Sequence, residues 1–556
     1  MWRCSPGPIF ALEMRAAARR WQTYALRSGF VAALLVAFLF VWLIDAKGVS
    51  ELRVRDMARI GERFYTYLIG TQLILLLLAA PAATAGAVAE DRARGGLLHL
   101  LVTDLSNTEI VLGKLFGRLI PVLGLVVCSL PVPGLVALLG GIEPDSLIGA
   151  YLVMAGTAIL GCTIALVLSI HASRPSEALL GTYFALAVLV LPYPVWMAID
   201  GFLRTSTIPS WLVKTNPFWL AFSPYTARQA GGLADMVRFF VASVIIASGL
   251  VAFAVFRVRA ITVARASQPQ RREKAIATPW FPGPSLDANP VLWREWHRQN
   301  PSRRTRVIWW IYGIVAGVFS SMAMADVRAS SFSFWVNGLQ VSIGMLLFSV
   351  GAVTSLAEER ARGSLDLLLA TPLATSEILW GKWWGAFRAV PLLLVLPAFV
   401  IWPRVVANNS YLSAFLTLGL ILAYGAASTS LAIACATWIP RIGRATLYTA
   451  GTTAVLSAGS VLVIVGAIPR SPVTYFLAMA SPLFGPGFTA SAPRGLLGFS
   501  FYSIRMSRYE GLVGTGATTW IVFYSVTSGL LMFAALRTFD RCLGRASQRR
   551  PPQRAA

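Results

Sequence analysis

The chain has 556 residues, of which 56% are hydrophobic and only 13% are charged, and its formal net charge is +24. A soluble globular protein carries about twice that share of charged residues. Uncharged runs long enough to cross a bilayer as a helix recur along the whole chain. The composition therefore excludes an ordinary soluble domain and predicts an all-α polytopic membrane protein.

The position of the basic residues decides what the positive charge means. They fall between the apolar runs and at both ends of the chain, which is typical of loops that face an anionic inner leaflet and not of a nucleic-acid-binding surface. The arginines before the first apolar run are not followed by a small-residue cleavage pattern, so we expect the first span to be retained. This charge pattern predicts a multi-pass protein of the plasma (inner) membrane with both termini cytoplasmic.

In chain order, a basic lead-in (1–27) is expected to hold an interfacial elbow helix. Twelve spans then follow, six on each side of a basic linker. The expected spans are at about 28–44, 64–89, 119–142, 146–170, 178–199, 239–256, 307–325, 333–357, 386–403, 411–437, 445–468 and 517–536. The uncharged segment 471–493 contains four prolines, which disfavour a straight spanning helix. We therefore expect short helices at the outer face or a partly re-entrant loop there.

Twelve spans keep the arginine-rich tail inside, and an even number in each half makes the halves parallel repeats. The predicted domains are a first six-span half (1–260), a cytoplasmic linker with a second elbow helix (261–306), a second six-span half (307–540) and a basic tail (541–556). The linker segment NPVLWREW echoes the start of the chain, because Pro8/Pro290 and Glu13/Glu295 are each 282 residues apart.

One charged stretch occurs twice. EDRARGGLLHLLVTDLSNTEIVLGKLFG (90–117) returns as EERARGSLDLLLATPLATSEILWGKWWG (358–385), at a constant spacing of 268 and with fifteen of 28 positions identical. Each copy follows the second span of its half on the cytoplasmic side. We call these stretches the first loop and the second loop.

The pattern inside each loop predicts a sequence of local structures. Gly95 and Gly363 are expected to end the incoming helix, and the leucines after them to form a short amphipathic helix. Ser106 and Glu109 have the spacing of a capping box, which Ala374 interrupts in the second copy. The lysine that follows is expected to snorkel to the interface. Two such helices indicate either a docking surface for a two-fold partner or interfacial helices that rest on lipid.

The second loop, AEERARGSLDLLLATPLATSEILWGK, resembles the loop signature of type-2 ABC transporter permeases, the membrane subunits of ATP-driven exporters. The first loop departs from it at Leu98, His99 and Asp104. The resemblance covers both halves and implies a fused permease whose loops carry coupling helices that dock on two separate ABC ATPase subunits. The residues it implies for ATPase coupling are Glu90, Asp91, Arg92, Arg94, Gly95, Leu97, Leu100, Leu101, Thr103, Glu109, Gly113, Lys114, Glu358, Glu359, Arg360, Arg362, Gly363, Leu365, Leu368, Leu369, Thr371, Pro372, Glu377, Gly381 and Lys382.

Catalysis by the chain itself is not expected. Gly113-Lys114 and Gly381-Lys382 are followed by Leu and Trp, so neither copy is a P-loop. The three histidines and five cysteines have no metal-ligand spacing. We therefore expect no cofactor or metal in this chain, and ATP with Mg²⁺ on the partner ATPase.

Two alternatives stay open. An ion-coupled secondary transporter also suits twelve spans in parallel halves, but it needs ionisable groups within the membrane, and the span centres are essentially uncharged. A membrane scaffold that transmits force without moving a solute is the other. Gln72 and Gln340, again 268 apart, lie within predicted spans. They either form interhelical hydrogen bonds or line the transport pathway.

Overall fold

The computed structural model describes residues 7–19, 54–93, 102–137, 140, 142–172, 175–193, 196, 209–226, 232–266, 284–287, 289–298, 303–325, 330–361, 363–408, 411–440, 442–466, 476–490 and 506–543, with scattered positions between 21 and 39. In these residues the regular secondary structure is helical, and no strand occurs among them. The all-α prediction is therefore confirmed for the described part of the chain.

The helices of the first half are α1 (Gly7–Ala18), α2 (Val54–Thr84), α3 (Gly86–Ala93), α4 (Asn107–Ser129), α5 (Pro131–Ala137), α6 (Pro144–His171), α7 (Pro175–Val190), α8 (Ser210–Thr215), α9 (Pro217–Thr226) and α10 (Leu233–Ala266). Proline marks several of the starts because its missing N–H costs nothing in a first turn. Between α4 and α5 the same missing N–H interrupts the helical ladder at Pro131.

The helices of the second half are α11 (Pro290–Arg298), α12 (Arg303–Ala325), α13 (Ser330–Ala361), α14 (Ser364–Leu369), α15 (Thr375–Phe387), α16 (Val390–Asn408), α17 (Tyr411–Trp438), α18 (Ile442–Gly466), α19 (Phe484–Ala490) and α20 (Met506–Leu543). The expected second elbow helix is α11. The helix that contains the predicted sixth span, α10, continues beyond residue 256 as one helix to Ala266.

Nine stretches of the described chain are long and apolar enough to cross a membrane. They are Phe64–Val88, Asn107–Ala137, Pro144–His171, Leu233–Val263, Thr305–Met324, Phe332–Arg360, Thr375–Pro403, Tyr411–Trp438 and Gly514–Leu543. Each overlaps a predicted span. The predicted fifth span is represented by the shorter apolar helix Glu177–Val190 and the eleventh by α18. Most of the predicted first span lies outside the described residues, so twelve spans in two repeats stay a prediction.

Matching helices of the two halves make matching contacts. The longest packed pair in the first half is α6 with α10, and in the second half it is α17 with α20. Likewise α1 lies on α4, as α11 lies on α15. The phenol of Tyr65 donates to the backbone carbonyl of Ala221 in α9, and that of Tyr424 donates to the carbonyl of Met479, just before α19. The short helix α19 packs on Phe334, near the start of α13, in agreement with the short helices expected within 471–493.

The two halves meet through α2 and α18, and through α7 against α12 and α13. A buried cluster at this interface contains Ala85 of the first half and Val350 and Ala450 of the second. Small side chains let the helices approach closely here: a Cβ at Gly443 would lie 3.3 Å from the carbonyl oxygen of Ala82. The ends of α2 and α13 that lead into the two loops are therefore brought together at one end of the bundle.

Candidate functional site at the two charged loops

Each loop follows one long helix and leads into another. In the second loop, α13 ends at Ala361, α14 forms the short helix and α15 begins at Thr375. In the first loop, α3 ends at Ala93 and α4 begins at Asn107. The starts of α4 and α15 are 268 residues apart, which is the repeat spacing. The descending and ascending helices of both loops are thus built from equivalent residues.

The lysine of each loop is buried, each with only 2% of its surface exposed. Lys382 Nζ forms a short ion pair with Glu295 and lies 2.8 Å from Glu359 Oε2. A buried ammonium is tolerated only when it is paired in this way. The expectation that this lysine snorkels to the interface is therefore wrong, because two carboxylates hold it inside the protein.

Lys114 repeats the arrangement in the first half. Its Nζ forms a short ion pair with Asp91, donates to the carbonyl oxygen of Ala87 at 3.1 Å and lies 4.0 Å from Glu13 Oε1. Asp91 and Glu359 are equivalent positions of the two loops, and Glu13 and Glu295 are equivalent positions of the two elbow helices. We call each set, a buried lysine with its two carboxylates, a lysine clamp.

The clamps join the elbow helices to the loops, and the glycines around each lysine make this possible. A Cβ at Gly385 would lie 2.8 Å from Cβ of Glu295, and a Cβ at Gly381 would lie 2.9 Å from Cβ of Val291. At Gly117 the nearest atom is a carboxylate oxygen of Glu13, also at 2.8 Å. The Gly-Lys-x-x-Gly segment therefore forms the surface on which an elbow helix lies.

Arginines extend the clamps. Arg294 donates to Glu359 at 3.0 Å, and Arg118 lies 3.1 Å from Glu13. Arg360 donates to the carbonyl oxygens of Ala436 and Thr437, at 3.2 and 2.8 Å. A cation at these carbonyls complements the negative end of α17. Arg360 therefore ties the second loop to the end of another long helix.

The short helix of the second loop is present as predicted, but its leucines divide into two groups. Gly363 adopts the left-handed conformation with φ of 71°, which a glycine tolerates without strain, and α14 follows it. Leu365 and Leu368 are buried against the protein's own spans. Leu367 is 75% exposed, and its neighbour Asp366 is exposed too. The buried leucines anchor the helix, and its exposed side carries Asp366 and Leu367.

The start of the outgoing helix has a capping box in the first loop and half of one in the second. The amide of Glu109 donates to Ser106 Oγ at 3.2 Å, and the amide of Ser106 donates to Glu109 Oε2 at 2.9 Å. Ala374 has no side-chain acceptor, but its amide still donates to Glu377 Oε2 at 3.2 Å. The second loop, which was expected to lack the capping box, therefore keeps one of its two hydrogen bonds.

Part of the predicted site lies outside the described residues. Exposed Thr103 precedes α4, and Thr371 and Pro372 form the corresponding turn before α15. The side chains of Glu90 and Arg92 are not described, although both residues belong to α3. The short helix predicted in the first loop cannot be compared with α14, since its residues are not described. The predicted positions outside the description are Arg94, Gly95, Leu97, Leu100, Leu101 and Arg362.

The two glutamines differ in their surroundings. Gln340 accepts a hydrogen bond from Ser320 of α12 at 3.0 Å and donates to Asn337 at 2.8 Å. This is an interhelical hydrogen bond within the second half. Gln72 is 3% exposed and lies near the phenol of Tyr151, yet its amide makes no hydrogen bond to the described residues. A role for either glutamine in a transport pathway stays a prediction.

Sequence reasoning found the lysines and missed what holds them. Glu13, Glu295 and Arg294 were outside the predicted site. A signal was available, because Glu13 and Glu295 repeat at 282 and the lysines at 268, so both partners of the pair are duplicated. Among the described residues, no group of three or more His, Cys, Asp or Glu side chains could hold a metal ion.

The chain was compared with protein-family models and with curated proteins, and neither comparison finds a match.

Proposed function

We propose that this chain is the membrane permease of an ABC transporter, an exporter driven by two copies of a separate ATPase subunit. In this proposal ATP binding closes the two ATPase subunits, the two loops move together, and the spans change from inward-facing to outward-facing. The proposed location is the plasma (inner) membrane with both termini cytoplasmic. ATP and Mg²⁺ belong to the partner.

The observation that carries the proposal is the position of the two loops. Ala85 lies five residues before the first loop and Val350 eight residues before the second, and both belong to one buried cluster between the halves. Two equivalent charged loops therefore emerge close together at one end of an apolar helical bundle. A partner with two equivalent sites could engage both loops at once.

The construction of each loop supports the same function. A loop that only rested on lipid would need its apolar side chains outside, whereas Leu365 and Leu368 face the protein's own spans. Lys382 and Arg360 fix the second loop to two other helices, α11 and α17, and the Lys382–Glu359 pair joins the two ends of the loop. A loop that is rigidly connected to its spans can transmit a movement to them, which is what an external motor requires.

A direct test is association with an ATPase. The full chain would be co-expressed with the ABC ATPase encoded nearest to its gene, extracted in mild detergent and tested for co-purification and ATP hydrolysis. Leu367→Asp should abolish co-purification, because it places a charge on the exposed side of α14. Charge reversal of Glu90 and Glu358 together should do the same. Leu286→Asp is the matched control, since Leu286 is also exposed but lies in the linker between the halves.

The results distinguish an ABC permease from an ion-coupled secondary transporter. The lysine clamps are ionisable groups within apolar helices, an arrangement that ion-coupled secondary transporters also use. If the wild-type chain alone transports a solute in ATP-free vesicles under a proton gradient, the ABC proposal is wrong. Equal ATPase binding by the wild type and Leu367→Asp would instead remove the role of α14.

A further inference from the structure

A lipid-facing groove lies between α4, α6 and α10 in the first half. It has a volume of about 400 Å³. Its walls include Leu115, Phe116 and Leu119 of α4, Ile159 of α6 and Val251 of α10. All three helices are candidate membrane spans, so the groove lies at membrane depth and needs an occupant that is stable in hydrocarbon.

The groove offers its occupant no free polar group among the described side chains that line it. Its three hydroxyls already have partners: Thr163 donates to the carbonyl of Ile159 at 2.7 Å, Ser248 donates to the carbonyl of Val244 at 2.8 Å, and Thr108 bonds to Ser106 at 3.0 Å. The other lining side chains are hydrocarbon. A polar solute would lose its hydration here without replacement, so the chemistry selects an apolar chain.

The length of the groove matches one leaflet. Its lining runs along α10 from Val244 to Phe256 and along α4 from Thr108 to Leu119. Twelve and eleven residues of helix at 1.5 Å per residue correspond to about 18 and 17 Å. Half of the hydrocarbon thickness of a bilayer is about 15 Å. The groove therefore reaches from the membrane edge to about its midplane.

One exposed cation follows the groove on the same face of α10. Arg259 lies one helical turn after Val255, which lines the groove. Arg257 is exposed too, but it lies on the opposite face of α10, where its guanidinium is 5.7 Å from the centre of the Phe253 ring. Arginine binds phosphate oxygens well because its donors match their geometry. An apolar slot one leaflet deep with an arginine at its edge is complementary to an anionic phospholipid.

The second half fills the equivalent position with its own side chain. The residue 268 positions after Leu115 is Trp383, which is buried between α15 and α17. Its indole N–H donates to Ser430 at 2.9 Å, and Ser430 bonds in turn to Ser528 of α20 at 2.9 Å. Around it, Trp380, Trp384 and Phe387 stand where the first half has Leu112, Phe116 and Leu119. The first half lacks this indole and has the groove.

We propose that the groove is a specific binding site for one acyl chain of an anionic phospholipid. The lipid belongs to the leaflet at the Arg259 end of α10, and its phosphate lies against Arg259. In the second half, the side chain of Trp383 fills the equivalent position and closes it to a lipid chain. This site is independent of ATPase binding, and it makes the two halves chemically unequal at the membrane.

The test uses the full chain in phosphatidylcholine vesicles that contain a phosphatidylglycerol with a photoreactive diazirine in one acyl chain. After illumination, labelled peptides are mapped by mass spectrometry. We expect labelling of α4 and α10 peptides. Leu115→Trp, which copies the second half, should lower it by about tenfold or more because the indole occupies the groove. Trp383→Leu should create new labelling on α15 and α20.

Additional variants control for misfolding and test the headgroup contact. Leu112→Trp, which copies Trp380, replaces Leu115→Trp in the test if Leu115→Trp does not give a monodisperse gel-filtration peak. Arg259→Gln should lower the preference for the phosphatidylglycerol probe over a matched phosphatidylcholine probe by roughly fivefold. Arg257→Gln, on the opposite face of α10, is the matched control and should leave that preference unchanged. Unchanged labelling in both tryptophan variants would overturn the proposal. Equal labelling by the two probes in the wild type, or cross-linking to a second copy of the chain through α4 and α10, would also overturn it.

Discussion

The lysine clamp of the second half gives the sharpest stability prediction. Lys382→Met removes the ammonium and keeps most of the side-chain length, so the change is mainly electrostatic. Glu295 then loses a short ion pair inside the protein, where its side chain is only 7% exposed. Glu359 keeps Arg294 at 3.0 Å, and Glu295 keeps the coulombic attraction of Arg388 in place of its ion pair. One carboxylate rather than two therefore loses its main cation.

The size of the effect follows from that difference. Removal of one partner from a buried ion pair costs about 3–5 kcal/mol. Because Arg294 still compensates Glu359, we expect a loss at the lower end, about 3 kcal/mol. Lys114→Met should cost less, because the side chain of Asp91 is 41% exposed and water can solvate it once the lysine is gone.

The measurement is thermal unfolding in detergent, followed as the loss of the monodisperse gel-filtration peak at one heating rate. Lys214→Met is the matched control, because Lys214 pairs with Asp235 at 3.1 Å but its side chain is 42% exposed. Such a pair contributes about 0.2–1 kcal/mol. Lys382→Met combined with Glu295→Leu should recover most of the lost stability, since no carboxylate is then left without its cation.

The outcome can refute the reasoning in two ways. If Lys382→Met and Lys214→Met lower the unfolding temperature equally, burial does not strengthen the clamp. If the double variant is less stable than Lys382→Met alone, the loss does not come from an uncompensated carboxylate. Limited proteolysis supplies a second readout, because a released elbow helix α11 should be cut faster in Lys382→Met than in the control.

Five further variants test the packing around the loops and the glutamines. Gly385→Ala should destabilise by about 1–3 kcal/mol because its methyl group would overlap the elbow helix, whereas Gly351→Ala, with open space around it, should be neutral or slightly stabilising in thermal unfolding. Ala374→Ser should complete the capping box and slow hydrogen exchange at the start of α15, by a gain of about 1 kcal/mol; unchanged exchange would contradict it. Gln340→Leu should lower the free energy of unfolding by about 1–3 kcal/mol because its hydrogen bonds are lost, whereas Gln72→Leu should leave it unchanged. Altered transport by a fully stable Gln72→Leu variant would support a role of Gln72 in the pathway, and normal transport would exclude it.

Hydropathy located the long helices but placed some of their ends wrongly. The span predicted at 146–170 is α6, Pro144–His171, because an uninterrupted apolar run needs no other information. The span predicted at 386–403 corresponds to α16, whereas the candidate span that contains it begins earlier, at Thr375 of α15. The capping-box spacing in the first loop predicted the start of the outgoing helix, but hydropathy placed the span only after Lys382. In the structure Glu377 caps the helix and Lys382 is neutralised inside it, so neither charge interrupts it.

The clamps were beyond the reach of sequence pattern for a physical reason. Glu295 and Lys382 are separated by 87 residues, and neither hydropathy nor helical periodicity reports which distant segments meet. The repeat showed that equivalents of both residues occur in each half, but not that the two residues are in contact. The division of the leucines in α14 was similarly hidden, because spacing defines a face of a helix and only packing decides which face is buried.

The lysine clamps also limit how a displacement of the loops could be transmitted to the spans. The second loop is attached to α11 through Glu295, to α13 through Glu359 and to α17 through Arg360. To stretch any of these contacts would expose a buried charge or leave helix carbonyls without a donor, which is costly. A push on Leu367 is therefore expected to move α11, α13 and the end of α17 as one unit. The helices that carry the loops also meet the other half at the interface around Ala85 and Ala450. Under the proposed function, a change between inward-facing and outward-facing states is expected to pass through that interface.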